Sequence, residues 1–140
     1  MKLDLAREIL THHARSRTNG IFPEGANRTA KLTNPICGDH VELRLFCEGE
    51  SIVGAGHRAR ACAICSASAS LLSQEIQGKP LARAFEMATA FENSLLSQAT
   101  DPWPEILEGL KCFTHLRTNP TRRACALLPW IALRKALTLE

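Results

Sequence analysis

Three cysteines and one aspartate stand at positions where they can bind a divalent metal. Asn34-Pro35-Ile36-Cys37-Gly38-Asp39 puts a thiol and a carboxylate two residues apart across a glycine. Glycine lets the backbone turn so that both groups can face one ion. Cys62 falls where an extended segment gives way to an Ala/Ser-rich helical one, and the free N–H groups and dipole of a helix start favour a thiolate there. Cys125 lies near the start of the last helical segment, directly after Arg122-Arg123-Ala124, whose charge also favours a thiolate. Thiolates and carboxylates are competent zinc ligands, and four of them make a tetrahedral site. Spacing alone leaves open whether three thiols at the edges of different elements meet.

The other reactive side chains read as structure. Cys65 completes Cys62-Ala63-Ile64-Cys65, but no second CxxC and no βαβ pattern accompany it, so a buried structural thiol is expected rather than a redox pair. Cys47 alternates with charged neighbours and is expected to face the core, while Cys112 lies in a loop-rich stretch; neither is assigned chemistry. The five histidines, 12, 13, 40, 57 and 115, are expected to be exposed or singly hydrogen-bonded, with His40 a reserve ligand beside Asp39. Trp103 and Trp130 are expected to pack the core.

The elements that must position these residues follow from periodicity. Leu3, Leu5, Ile9 and Leu10 predict an amphipathic helix over 3–14. Residues 16–36 collect Gly20, Pro23, Gly25, Asn27, Asn34 and Pro35 and read as a mobile loop. Val41, Leu43, Leu45 and Cys47 alternate with polar or larger residues, and a Glu-Gly-Glu turn leads into a second strand over 52–61, which predicts a hairpin. Any third strand must lie in the stretch before Cys37. Helices are predicted over 62–77, ending at Gly78-Lys79-Pro80, and over 81–98. A loop is expected from Asp101-Pro-Trp-Pro to Asn119-Pro120, then a last helix from Thr121. Pro129 opposes the carbonyl of Cys125, so that helix is expected to start late or bend. The class is α+β: one domain over 1–140, a small antiparallel sheet with helices packed on one side.

A length of 140 residues, 45% hydrophobic and 22% charged, suits one globular core. The net charge of +3 comes without the basic stripe that nucleic acid requires, so no nucleic-acid partner is expected. The excess of Lys and Arg after residue 110 reads as a solvated face or a docking surface for an acidic protein. The N-terminal residues mix charged and apolar side chains unlike a secretory signal, and no long apolar run spans a membrane. A cytoplasmic setting is expected, where six cysteines stay reduced.

The three cysteine segments occur in a recognisable order. Asn-Pro-Ile-Cys37-Gly-Asp, then Cys62 with Ser-Ala-Ser-Ala-Ser-Leu-Leu and Gly78-Lys79, then Arg-Arg-Ala-Cys125-Ala-Leu-Leu-Pro-Trp-Ile-Ala-Leu resemble the three-cysteine pattern of the IscU/SufU (NifU N-terminal-like) iron–sulfur cluster assembly family. The likeness runs from about residue 3 to 137. Within it the chain resembles the SufU branch: the added Phe91–Lys111 region lengthens the span between Cys62 and Cys125, the Leu-Pro-Pro-Val-Lys motif of IscU is absent, and Ala124 stands where IscU carries a histidine. Cys65 departs from the small polar residue usual in that branch.

The resemblance implies Cys37, Asp39, Cys62 and Cys125 as metal ligands, with Cys37 the sulfur acceptor; by charge and position beside Cys125, Arg122 and Arg123 are expected to pair with acidic groups on a partner. It implies a zinc-bearing sulfur acceptor serving a cysteine desulfurase, with acceptor apo-proteins downstream. At most this makes the chain a sulfurtransferase. Alternatively it implies a scaffold holding iron or a transient [2Fe–2S] cluster, which a carboxylate ligand would make labile. A structural zinc module that recruits a protein partner is a third reading, disfavoured because closed structural sites prefer Cys and His.

Overall fold

The computed structural model describes residues 1–138. The elements in chain order are α1 (Leu3–Ala14), β1 (Arg28–Thr33), β2 (His40–Glu48), β3 (Ser51–Arg60), α2 (Ala63–Ile76), α3 (Leu81–Leu95), a 3₁₀ segment (Glu105–Thr118) and α4 (Pro120–Leu137). The sheet is antiparallel in the order β1-β2-β3. The α+β class and the small antiparallel sheet with helices are as expected from the sequence, which showed the β2–β3 hairpin and left a third strand open.

Alternation sets the faces of the sheet. Val41, Leu43 and Leu45 are fully buried on the side where α2 and α4 pack. The other side of the hairpin carries Glu42 and Arg44 and is crossed by Ile21–Pro23, which lies on the glycines of β3. A Cβ on Gly56 would meet the Ile21 carbonyl and come within 2.9 Å of Phe22 Cα, and one on Gly54 would come within 2.9 Å of Pro23 Cβ. Gly20 N–H donates to the His57 carbonyl at 2.7 Å, and Asn19 bonds both the N–H and the carbonyl of Ala59. The stretch expected to be a loose loop is therefore a strap clamped to β3, followed by a strand.

That strand, β1, escapes sequence reading because it lies at the edge and buries only Ala30. Its composition is polar, so alternation is faint. Arg28 at its start donates to the carbonyls of Ala136 and Leu137 at 3.1 Å each, where a cation complements the C-terminal end of α4.

The helical half differs from expectation in two places. Residues 105–118, expected as loop, form a 3₁₀ segment with Leu107, Leu110, Cys112, Phe113, Leu116 and Arg117 buried. Arg117 Nε and Nη1 donate to the carbonyls of Ser94 and Asp101, each at 2.7 Å, fastening the segment to the end of α3. The last helix does not start late, and it runs unbroken through Pro129. Pro120 occupies its first turn, where a missing N–H costs nothing, and the Asn119 side chain caps it by accepting from Arg122 N–H at 3.2 Å. Pro129 lies inside the helix and is buried. Three residues before it, the Ala126 carbonyl accepts a 2.6 Å bond from the buried Ser68 hydroxyl of α2. This bond pins α4 to α2 within one turn of Cys125.

The core centres on Phe91, Phe113 and Trp130, all fully or almost fully buried, with ring centroids 5.3 and 5.1 Å from Phe91. Trp130 packs the core as expected; Trp103 is half-buried at its margin, with its N–H on the Leu107 carbonyl at 2.7 Å. In α1, Ala6 and Leu10 are buried while Leu3 and Leu5 are exposed, so the buried face is narrower than its apolar residues suggest.

Candidate metal centre

Asn34–Asp39 forms the turn that joins β1 to β2. The Asn34 N–H donates to the Asp39 carbonyl and the Gly38 N–H to the Asn34 carbonyl, both at 2.8 Å, while Asn34 Oδ1 accepts from Ile36 N–H at 3.0 Å. Gly38 has φ +76°, a conformation that favours glycine. The turn thereby leaves Cys37 exposed at its tip while sending Asp39 inward to 3% exposure.

Asp39 is the hub of the site. Its Oδ1 accepts from Cys62 N–H at 2.9 Å and its Oδ2 faces Cys62 Sγ at 3.6 Å. Cys62 is the N-cap of α2, its sulfur accepting from Cys65 N–H at 3.4 Å, as expected of a thiol at a helix start. One ligand atom each from Cys37, Asp39 and Cys125 lie within 4.8 Å of one another. The geometry thus brings Cys37, Asp39 and Cys125 into one cluster, and Cys62 joins it through the carboxylate.

Electrostatics agree with that picture. Burial by itself would raise the Asp39 pKa. The Cys62 N–H and the thiols of Cys37, Cys125 and Cys62 outweigh it and hold the carboxyl below its ordinary range. Cys125 is pushed up, first by burial and then by Cys62 and Asp39, because a second anion beside the carboxylate is unfavourable. Among the described residues no Lys, Arg or His forms an ion pair with Asp39. A buried carboxylate ringed by thiols with no cation is a donor set that fits a divalent metal, which would reverse the bias against ionising the thiols.

The remaining candidates lie outside the cluster. Cys65 is fully buried behind Cys62, and burial, then Asp39 and the cluster thiols, raise its pKa; it packs as expected. Cys112 is buried in the 3₁₀ segment, with its thiol pushed up to about 12 by burial. Cys47 is half-buried against the core. His40 bonds Thr33 Oγ1 at 2.9 Å and is not among the clustered ligands. His57 is buried with Nδ1 on Ser73 Oγ at 3.2 Å, and His13 meets Ser70 Oγ at 3.0 Å. Arg122 is exposed; Arg123 is half-buried and donates to the Arg117 carbonyl at 2.9 Å. Sequence reasoning did not foresee the Asp39–Cys62 backbone bond or the Ser68–Ala126 tie, since neither leaves a periodic or local signal.

Comparison with known proteins assigns the chain to one class. The family described as NifU-like N terminal domain matches residues 5–138, and the chain belongs to that family. More particularly, it is similar to the zinc-dependent sulfurtransferase SufU of Bacillus subtilis, 28% identical with 94% of this chain and 88% of the relative covered. It is also similar to the iron–sulfur cluster assembly scaffold protein IscU of Streptococcus pyogenes, 27% identical over 76% of this chain and 67% of the relative. The crystal structure of an iron–sulfur cluster assembly scaffold protein for the SUF system from Fervidobacterium islandicum superposes with a TM-score of 0.85 at 30% identity, covering 94% of this chain and 95% of the other. A nitrogen-fixing NifU-like protein from Brucella abortus shares the fold at a TM-score of 0.81 and 21% identity.

Proposed function

We propose that Cys37, Asp39, Cys62 and Cys125 hold one zinc ion, and that the chain accepts sulfur from a cysteine desulfurase at Cys37 for iron–sulfur cluster assembly. The observation that carries this reading is the contrast within the cluster: Asp39 and Cys125 are buried and the exposed Cys62 is held as the N-cap of α2 by Cys65 N–H and Asp39, while Cys37 stands exposed at the tip of a turn. Bound zinc would keep the thiols of the cluster deprotonated. The Gly38 turn presents the Cys37 sulfur outward, and the Asn34 bonds keep it in one place. A Cys37 thiolate can attack the outer sulfur of a persulfide on the enzyme: one S–S bond forms, one breaks, and the donor cysteine leaves as thiolate. The whole chain, 1–140, serves as one domain in this reading. Free thiols at the site call for a reducing compartment such as the cytoplasm; among the described residues no helix is long and apolar enough to cross a membrane.

A second reading, a scaffold for a transient [2Fe–2S] cluster handed on to apo-proteins, is favoured by the carboxylate among the thiols, a ligand set that suits lability. Metal and acid-labile sulfide analysis of anaerobically purified protein separates the two. One zinc and no visible colour support sulfur transfer; iron with equimolar sulfide supports the scaffold. In sulfur-transfer assays, Cys37→Ala is expected to abolish stimulation of the desulfurase, and stimulation equal to the parent's would refute the acceptor role.

A further inference from the structure

The surface around the centre combines two extremes of side-chain size. Each exposed or clustered thiol has an exposed neighbour with little or no side chain: Gly38 after Cys37, Ala63 after Cys62 and Ala124 before Cys125. Such residues let another backbone come close. Ile36, one residue before Cys37, is 95% exposed, the most exposed of the large apolar side chains among the described residues. Its position is set, because Asn34 Oδ1 accepts its N–H at 3.0 Å and the turn is closed by the two Asn34 backbone bonds. Arg60, two residues before Cys62, and Arg122, three before Cys125, are also exposed. Neither guanidinium has an ion pair among the described residues.

We propose that Ile36 is the apolar anchor by which this chain docks on its cysteine desulfurase, entering a recess beside the persulfide-bearing cysteine, with Arg60 and Arg122 meeting acidic groups around that recess. The inference rests on the sulfur-transfer reading above and adds the residue that sets affinity and register. An apolar centre with a charged rim is the ordinary anatomy of a protein interface, and single buried anchors carry much of its affinity. A β-branched side chain on a hydrogen-bonded turn loses little freedom on burial. Because the Ile36 and Cys37 Cα atoms are only about 3.8 Å apart, seating the anchor also fixes where the acceptor sulfur meets the donor. Rim charges of one sign favour an acidic partner and speed its approach.

The test compares Ile36→Asp and Ile36→Leu with the parent in desulfurase stimulation, measuring zinc content of each. The Ile36 side chain lies in solvent, so folding and metal content should match the parent. Ile36→Asp is expected to raise the concentration for half-maximal stimulation at least about tenfold, and Ile36→Leu to stay within about threefold. Raised salt should weaken the parent through Arg60 and Arg122. An unchanged half-maximal concentration for Ile36→Asp overturns the inference while leaving sulfur transfer standing. A parent that self-associates through Ile36 also overturns it, since a second copy would then own the face. A parent that stimulates no desulfurase refutes the underlying reading instead.

Discussion

Replacing Asp39 with Asn separates the roles of this carboxylate, because the two side chains have the same shape and differ in charge. In the metal-free protein the amide oxygen can keep the 2.9 Å bond from Cys62 N–H, so the fold should lose no more than about 1–2 kcal/mol. Metal binding should suffer far more. A carboxylate at 3% exposure contributes a full charge where water cannot replace it, and a neutral amide is a poor zinc ligand. Since loss of a mere supporting partner of a ligand already costs tenfold to hundredfold, zinc affinity should fall by at least about a hundredfold. Removing the charge should also ease ionisation of Cys125. At the 4.8 Å limit of the cluster, a thiolate and a carboxylate repel by about 3 kcal/mol at an effective dielectric constant of about 20. The assays are zinc competition with a chromogenic chelator, thermal melting of the metal-free protein, and the pH profile of Cys125 alkylation in a variant keeping only that cluster thiol. Affinity within threefold of the parent, or an alkylation profile unmoved toward lower pH, would refute the assignment of Asp39 as hub.

Glu42 supports a pH prediction on the outer face of the sheet. Burial opposes its ionisation, but the Arg44 guanidinium at 2.6 Å, with Lys31 and Arg58, keeps its pKa below the ordinary value. A group depressed in the folded state stabilises above its unfolded pKa, about 4.3. That contribution is lost as pH falls through the lower folded value. Glu42→Gln should therefore melt several degrees below the parent at pH 7, with the gap closing in acid; a constant gap would refute the linkage. Gly56→Ala should destabilise by about 1–3 kcal/mol, because its Cβ would meet the Ile21 carbonyl and Phe22 Cα, and urea melts report it; an unshifted midpoint would mean the strap is not held by this contact. Cys47→Ser and Cys112→Ala should leave zinc content unchanged, and loss of zinc in either would show that the ligands were chosen wrongly.

Much of the site was legible before any coordinates, because its chemistry is written locally. Asn-Pro-Ile-Cys-Gly-Asp carries its own turn, and Cys62 sits at a composition change that marks a helix start. Helices α1 and α3 follow from apolar spacing, α2 from its Ala/Ser/Leu composition and the Gly78-Lys79-Pro80 stop, and the hairpin from alternation. The polar edge strand β1 and the 3₁₀ segment around Cys112 left no comparable trace, since an edge strand needs only one buried face and short 3₁₀ turns lack a sustained period. Of the two outcomes Pro129 allowed, a late start is excluded, because Pro120 and the Asn119 cap begin α4 before Cys125. Whether the thiols meet was decided by long-range packing alone. Asp39 becomes a hub only when β2 carries it to the N-terminus of α2, and Cys125 joins only when α4 lies across α2, where Ser68 holds it. Sequence by itself determined which groups could bind a metal. Only the tertiary structure decided that Cys37, Asp39 and Cys125 lie within one ion's reach with Cys62 beside them, because such distances depend on contacts between residues far apart in the chain.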